Sequence, residues 1–242
     1  MLKPHHLFIK VSLFLVAMLL LAGCASTADK ETNDPWETYN RWMYGINDGF
    51  DSAITKPIAK GYNFIVFEPI NTGVSNVFRN LDDVLVIFND LLQLKFKQAG
   101  SDTYRFVLNS TVGVAGIFDV AGYAGVPKHH EDFGQTLGYW GVNTGPYVVL
   151  PFLGPSSIRD GTGLIADIYM HPITHIEDVP TRNRRYALGI IDKRAGLLKA
   201  ESILKEAAID EYAYVRDAYQ QYRRNLVHDG NPPDDEFDVF EE

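Results

Sequence analysis

The chain has 242 residues, a formal net charge of −9, 46% hydrophobic and 12% aromatic residues, and one cysteine. That length suffices for one domain with a real core, and the acidic balance, with no Lys/Arg-rich block to offset it, excludes a nucleic-acid partner. The lone cysteine excludes an internal disulfide and a thiolate metal cage.

At the front, Lys3 and Lys10 flank the start of an apolar run, Val11 to Ala22, that closes on Leu21-Ala22-Gly23-Cys24. About a dozen apolar residues fall short of the roughly 20 that cross a hydrocarbon core. Residues 1–23 therefore read as a secretory signal. The small pair Ala22-Gly23 before Cys24 resembles a bacterial lipobox, whose cysteine is acylated and becomes the mature N-terminus. At about 0.8 kcal/mol per buried methylene, three acyl chains would hold such a protein on a membrane almost permanently. Ala25-Ser26-Thr27 lack the aspartate that retains lipoproteins at the inner membrane, so the same resemblance directs this one to the outer membrane, facing the periplasm. Residues 24–33 form the lipidated N-terminus and a small, polar tether. Without residues 1–23, which carry two lysines and no acid, 219 residues remain at −9 − 2 = −11.

Asp34-Pro35-Trp36-Glu37 predicts a helix start, with Asp34 as cap, Pro35 at the first position and Glu37 closing a capping box. Trp36, Tyr39, Met43, Ile46, Phe50 and Ile54 then recur at steps of three and four, opposite Glu37, Asn40, Arg41, Asp48 and Asp51. Lys56-Pro57 ends or kinks this helix. A short helix from Ile58 to Phe67 stops at Glu68-Pro69, and Pro69 opens the next. Its stripe is Ile70, Val74, Val77, Leu81, Val84, Leu85, Phe88 and Leu92. Ser101-Asp102 predicts a helix over Thr103–Phe118, whose second half, Thr111 to Ile117, is small and nearly uncharged, suited to close backbone approach.

Gly122 to Gly163 breaks the helical period with repeated glycines and Pro127, Pro146, Pro151 and Pro155, yet is rich in aromatics. A stretch this long without a period is functional or disordered, and the aromatics favour an ordered, irregular segment with extended pieces near Tyr147–Leu150. Helices resume at Ile158–Met170, Arg182–Lys199 and Ala200–Asn225, the last with Tyr212, Val215, Tyr219 and Tyr222 on one side. Residues 34–226 thus read as one all-α domain. Residues 227–242, with Pro232-Pro233 and an acidic end, read as a disordered tail, either a spacer or a docking segment.

No nucleophile elbow, phosphate loop, dinucleotide loop or CxxC is present. His129-His130-Glu131-Asp132 and the pair His171 and His175 have metal-ligating side chains. However, adjacent histidines point apart on most backbones, and Pro172 disfavours helix at His171. They read as solvated loop histidines. Arg159-Asp160 reads as a structural ion pair closing a loop, and Ser156-Ser157 as a cap for the following helix. No catalytic residue, metal or cofactor is expected.

The ordered blocks Asp34-Pro35-Trp36-Glu37-Thr38-Tyr39-Asn40-Arg41, Asn80-Leu81-Asp82-Asp83, Arg105 to Gly113, Gly116 to Ala121, Asp132 to Gly141, Gly145 to Pro151 and Ser157 to Gly161 resemble the MlaA (VacJ) lipoprotein family. The signature positions carried over are Asp34, Pro35, Glu37, Asn40, Arg41, Asn109, Gly134, Gly138, Gly141, Gly145, Pro146, Arg159 and Asp160. The resemblance implies an outer-membrane lipoprotein that removes phospholipid mislocated to the outer leaflet. It implies a ring of amphipathic helices in the inner leaflet of that membrane around a central amphipathic channel. The implied partners are phospholipid, a trimeric porin of the OmpC/OmpF kind and a soluble periplasmic carrier like MlaC, which delivers to an ATP-driven inner-membrane complex. A passive channel breaks no bond, in keeping with a sequence that carries none of these catalytic motifs.

The resemblance also implies two gates. One is a hairpin at about Gly122–Phe133 with hinge freedom at Gly122 and Gly125. The other is the middle of the first helix, Gly45, Ile46 and Asn47. Two other classes stay open, a structural lipoprotein that scaffolds a porin and a lipid-modifying enzyme using His129, His130 or Asp160.

Overall fold

The computed structural model describes residues 33–233, the side chains of residues 203–207 excepted. Cys24, the tether up to residue 32 and the acidic run 234–242 lie outside the described residues.

Helix α1 (Glu37–Phe50) begins at Trp36 without a side-chain cap. The expected capping box does not form. Asp34 is buried and accepts from Asn40 Nδ2 at 2.7 Å, while Glu37 pairs with Arg41 one turn on at 2.6 Å. A buried carboxylate left without donors is costly, so Asp34 takes partners inside the fold rather than the helix end. Pro57 does not end the helical run. A π-helical turn, Asp51–Thr55, leads straight into α2 (Lys56–Ile65). The wider turn accommodates a residue that has no N–H to give the ladder.

Helix α3 (Glu68–Leu92) takes Pro69 in its first turn as expected. A tight turn with Leu94 at φ 60° joins it to α4 (Phe96–Thr111). That helix starts seven residues before the Thr103 that the Ser101-Asp102 cap signal predicts, so Asp102 lies in its interior rather than at its cap. It also stops at Thr111. The small run beyond turns back on itself with Val114, Ala115 and Gly116 all at positive φ. Gly116 meets Asn80 of α3, where a Cβ would come within 2.7 Å of the Asn80 Cβ. The close approach expected of these small residues is therefore made by a turn, not by a helix face.

Asp119 caps the single turn α5 (Val120–Tyr123), and Asp132 caps α6 (Phe133–Tyr139). An antiparallel hairpin follows, β1 (Tyr147–Leu150) and β2 (Gly154–Ser157), with Tyr147 opposite Ser157 and Leu150 opposite Gly154. The segment read as irregular thus contains α6 and this hairpin. Ser157 caps α7 (Ile158–Met170), as expected, and a 3₁₀ turn, Pro172–His175, leads to α8 (Val179–Ala207). The break expected near Lys199 comes later, where Asp210 caps α9 (Glu211–Val227).

In space, α2 lies along α8, α3 against α4 and α8, and α6 on α7, with the hairpin held between α1, α7 and α9. The apolar core is small and sits at the hairpin: Met43, Tyr147, Val149 and Tyr212, with Tyr39, Tyr44 and Tyr219 around them. Among the described residues, no helix is long and apolar enough to cross a membrane.

Candidate functional site

The helices face the wrong way for a protein in water. On α3 the buried residues are Gly73, Asn80, Asp83, Val86, Asn89 and Asp90, whereas Ile70, Phe88, Leu91 and Leu92 of the same helix lie outside. On α4, Asp102, Arg105 and Asn109 are inside and Phe96, Tyr104 and Val107 outside. Among the described residues, eighteen buried residues are polar or charged and ten are hydrophobic. Soluble domains reverse that order, because unpaired charges are almost never buried. The outer surface carries Phe64 at 91% exposure and Ile65 at 79%, and α7 adds Ile165 and Tyr169. The first helix turns along its length: Met43 enters the core, while Ile46, Phe50 and Ile54 of the same stripe face out.

The interior polar groups fall into four stations. At the first, Asn40 is fully buried and fully used. Its Nδ2 donates to Asp34 Oδ1 at 2.7 Å and to the Tyr147 carbonyl at 3.1 Å, and its Oδ1 accepts from the Val149 N–H at 2.8 Å. The Tyr212 hydroxyl donates to the other oxygen of Asp34, and burial together with this carboxylate pushes the phenol up. Arg41 holds Asp210 at 2.8 Å and lies 4.4 Å over the Tyr212 ring. Pro35 sits in the turn between Asp34 and α1. Asn47 repeats the Asn40 device two turns on, donating to the Leu150 carbonyl at 2.9 Å and accepting from Phe152 N–H at 2.8 Å. The candidate gate at Gly45–Asn47 is thus joined to the hairpin tip through Asn47. Gly45 faces open space and Ile46 is exposed.

At the second station Arg105 donates to the Val126 carbonyl at 2.9 Å and to Asp119 Oδ2 at 2.6 Å. Asn109 donates to Asp119 Oδ1 at 2.9 Å and accepts from the Ala121 N–H at 2.9 Å. Burial works to raise the Asp119 carboxyl, but the hydrogen bonds of Arg105 and Asn109 outweigh it and hold it below the usual range. Lys128 pairs with Asp83 and donates to the Arg79 carbonyl at 2.8 Å. The other expected gate, Gly122–Phe133, is therefore anchored along most of its length. Gly122 rests on the Asp119 carboxylate, while at the tip the Tyr123 side chain is 90% exposed and Gly125 faces open space.

The third station centres on Arg223 of α9, which donates to Asp132 and to both oxygens of Asp160, at 2.9 and 3.0 Å. The Tyr219 hydroxyl adds a bond to Asp160 at 2.6 Å, and Arg159 pairs with Asp160 at 3.0 Å. Burial alone would raise both carboxyls, yet Arg223 outweighs it and holds both below the ordinary range. Arg159-Asp160 is thus the structural ion pair the sequence suggested, extended by an arginine it did not. Gly134 and Gly163 touch back to back here, and a Cβ on Gly163 would come within 2.5 Å of the Gly134 nitrogen. Gly138 lies against Arg159 and Val227. Gly141 and Gly145 hold positive φ, and the Pro146 carbonyl accepts from Ile158 N–H at 3.2 Å.

The fourth station is acidic. Asp90, Asp102 and Glu131 share Gln93, Lys95, Gln98 and His129. His129 is not the solvated histidine expected, since its Nδ1 lies 2.8 Å from the fully buried Asp102. Burial and the neighbouring Lys128 and Arg79 push His130 down. His171 caps the 3₁₀ turn and meets Asp82 at 3.2 Å, while the His175 ring packs on Tyr169. Among the described residues, no three Asp, Glu, His or Cys side chains converge on a metal position. Of the tail expected from residue 227, Asp229 pairs with Lys95 and the Pro233 carbonyl accepts from Arg224.

Sequence reasoning missed Asp83, Asp90, Asp102, Lys128 and Arg223 as interior groups. A signal was present: Gly73, Asn80, Asp83, Asp90 and Gln93 recur at helical spacing, a polar stripe as regular as the apolar one.

The family model described as MlaA lipoprotein matches residues 32–226. Two curated relatives, from Shigella flexneri and from Escherichia coli strain K12, are each named intermembrane phospholipid transport system lipoprotein MlaA. Each is 36% identical to this chain over 228 residues, covering 92% of it and 90% of the relative. A solved structure, reported as the structural basis for maintenance of bacterial outer membrane lipid asymmetry, superimposes with a TM-score of 0.70 at 32% identity. That match covers 80% of this chain and 98% of the other.

Proposed function

The chain belongs to the MlaA lipoprotein family, and on that premise we propose that it is a phospholipid-transport lipoprotein of the outer membrane. In this reading Cys24 carries the acyl anchor and the helical domain lies in the periplasmic leaflet. Phospholipid mislocated to the outer leaflet passes through the domain to a soluble periplasmic carrier, and a trimeric porin stands beside it.

The observation that carries the reading is the inverted polarity of α3 and α4. An exposed Phe or Ile gains about 1.5–3 kcal/mol when lipid covers it. In acyl chains, therefore, the outward Ile70, Phe88, Phe64 and Ile65 would stabilise embedding instead of threatening aggregation. The polar interior gives a charged headgroup hydrogen-bonding partners that hydrocarbon lacks, lowering the cost of its passage. No covalent step is involved: the domain offers a path, and net direction comes from a partner that spends ATP. The two candidate gates, Gly45–Asn47 with the hairpin and Gly122–Phe133, are the parts of the chain that move to admit a lipid.

The test places a photocrosslinking residue at Asn80, inside, or at Ile190, outside, in the full-length protein replacing the family member of a Gram-negative host. Phospholipid captured at both positions, with outer-leaflet phospholipid kept low, is the expected result. Capture at Ile190 alone, with asymmetry lost, would leave a porin scaffold, and phospholipid hydrolysis by the purified protein would indicate an enzyme.

A further inference from the structure

Two buried oxygens of the acidic station have no donor: Asp90 Oδ2 on α3 and Asp102 Oδ1 on α4. Both residues are completely buried. Their other oxygens are occupied, Asp90 Oδ1 by Gln98 Nε2 at 2.8 Å and Asp102 Oδ2 by His129 Nδ1 at 2.8 Å. The two carboxyls are hydrogen-bonding neighbours. Ionised carboxylates only accept, so two of them cannot bond each other, and like charges in one buried site resist joint ionisation. One proton shared by the two carboxyls would relieve both the missing donors and the repulsion at once.

We infer that this shared proton is a clasp that fastens residues 126–131 to α3 and α4, and that its loss on the alkaline side loosens that segment. The fastening is visible residue by residue. Val126 is held by Arg105, Lys128 by Asp83, His129 by Asp102, and Glu131 by Gln93, Lys95 and Gln98. Gln98 couples the carboxyl pair to the segment, because it donates both to Asp90 Oδ1 and to Glu131 Oε1, at 2.8 and 2.9 Å.

The charged groups facing the pair come from every neighbouring element. Glu131 and His129 come from the segment itself, and Lys95 from the α3–α4 turn, where it is shared with Asp229 beyond α9. Asp83, Arg105 and Lys128 form the adjoining station, and Asp167 of α7 accepts from the Phe133 N–H at 3.0 Å. Lys95 already divides its charge between Glu131 and Asp229. A second negative charge at Asp90 would thus repel Asp102 and Glu131, the acids that hold His129 and the end of the segment. Burial first, then the charges of Asp102 and Glu131, raise the Asp90 carboxyl to about 8. A cation could also fill two orphan oxygens, but no three ligands converge there among the described residues. A proton needs only the two.

The physiological weight of the clasp rests on reading the segment as a gate; the proton itself does not. The full-length protein in lipid nanodiscs, with chelator present, is followed by infrared spectroscopy and hydrogen exchange between about pH 7 and about pH 9. The expected result is a protonated-carboxyl band that vanishes near pH 8 and is absent from Asp90→Asn. Protection of amides 126–131, corrected for intrinsic exchange, should fall at least about tenfold in the wild type and stay within about twofold in Asp90→Asn. No band, flat protection in the wild type, or a variant that follows the wild type would each overturn the clasp, as would protection restored by added calcium. If Asp90→Asn does not fold, the wild-type titration decides, with His129→Gln as second variant. It should keep the band but lose protection around residue 129 at every pH. Transfer of labelled phospholipid in the same series separates the two readings: transfer absent throughout while the band titrates removes the gate and leaves the clasp.

Discussion

The Arg223 station and the Asp90 station are built from the same side chain, a buried aspartate, and behave in opposite ways. Asp132 and Asp160 converge on a guanidinium whose fork reaches both, and both carboxyls are held down. Asp90 meets Asp102 and Glu131 with one lysine shared among acids, and its carboxyl is pushed up. Burial acts the same way in each place. The difference is whether a permanent cation stands within hydrogen-bond reach, and that decides which station is a fixed joint and which can exchange a proton.

Removing the cation should break this contrast most severely. Arg223→Ala takes the shared guanidinium from both carboxylates, leaving Asp160 with Arg159 and Tyr219 and Asp132 with Gln135, and a cost of about 3 kcal/mol is expected in chemical or thermal unfolding.

Next comes the titration, with opposite signs at the two stations. Asp90 keeps in the folded state a proton that the unfolded chain releases above the ordinary carboxylate value of about 3.9. Its contribution is therefore full below that value and is lost as pH rises towards about 8. Asp132 and Asp160, held low, contribute above the ordinary value and lose that contribution as pH falls through their lowered pKa. Asp90→Asn should abolish the alkaline decline only, leaving the variant more stable than the parent above that range. Unfolding midpoints across pH measure both limbs.

Gly163→Ala sharpens the comparison from the packing side. A Cβ within 2.5 Å of the Gly134 nitrogen forces α6 and α7 apart beneath the Arg223 joint, at about 1–3 kcal/mol. The smallest effect belongs to the surface. Glu37→Ala removes an exposed i,i+4 pair with Arg41 and should move stability by less than about 0.5 kcal/mol. A larger loss would show that the Arg41 contact with Asp210 depends on Glu37.

Much of the scaffold was legible in the chain. The start of α3 at Pro69, the limits of α7 and the Ser157 cap follow from proline, serine and apolar spacing, which are local rules. Local signals and the structure part where a distant partner outweighs a local one. Asp34 looked like a helix cap and instead meets Tyr212, 178 residues away, and Asp102 looked like another and lies inside α4 against His129. Ser101-Asp102 is a cap signal only if the preceding Phe96–Gly100 is not already helical, and packing of α4 on α3 makes it so.

By itself, then, the sequence determined where most of the helices lie and that each carries two unlike faces. Only the tertiary structure decided which face of each helix turns inward. A period of 3.6 records that two faces differ, but their assignment depends on what surrounds the molecule and on which charges meet inside. Arg223 with Asp132 and Asp90 with Asp102 meet only when elements far apart in the chain come together. Those encounters set the sign of each titration.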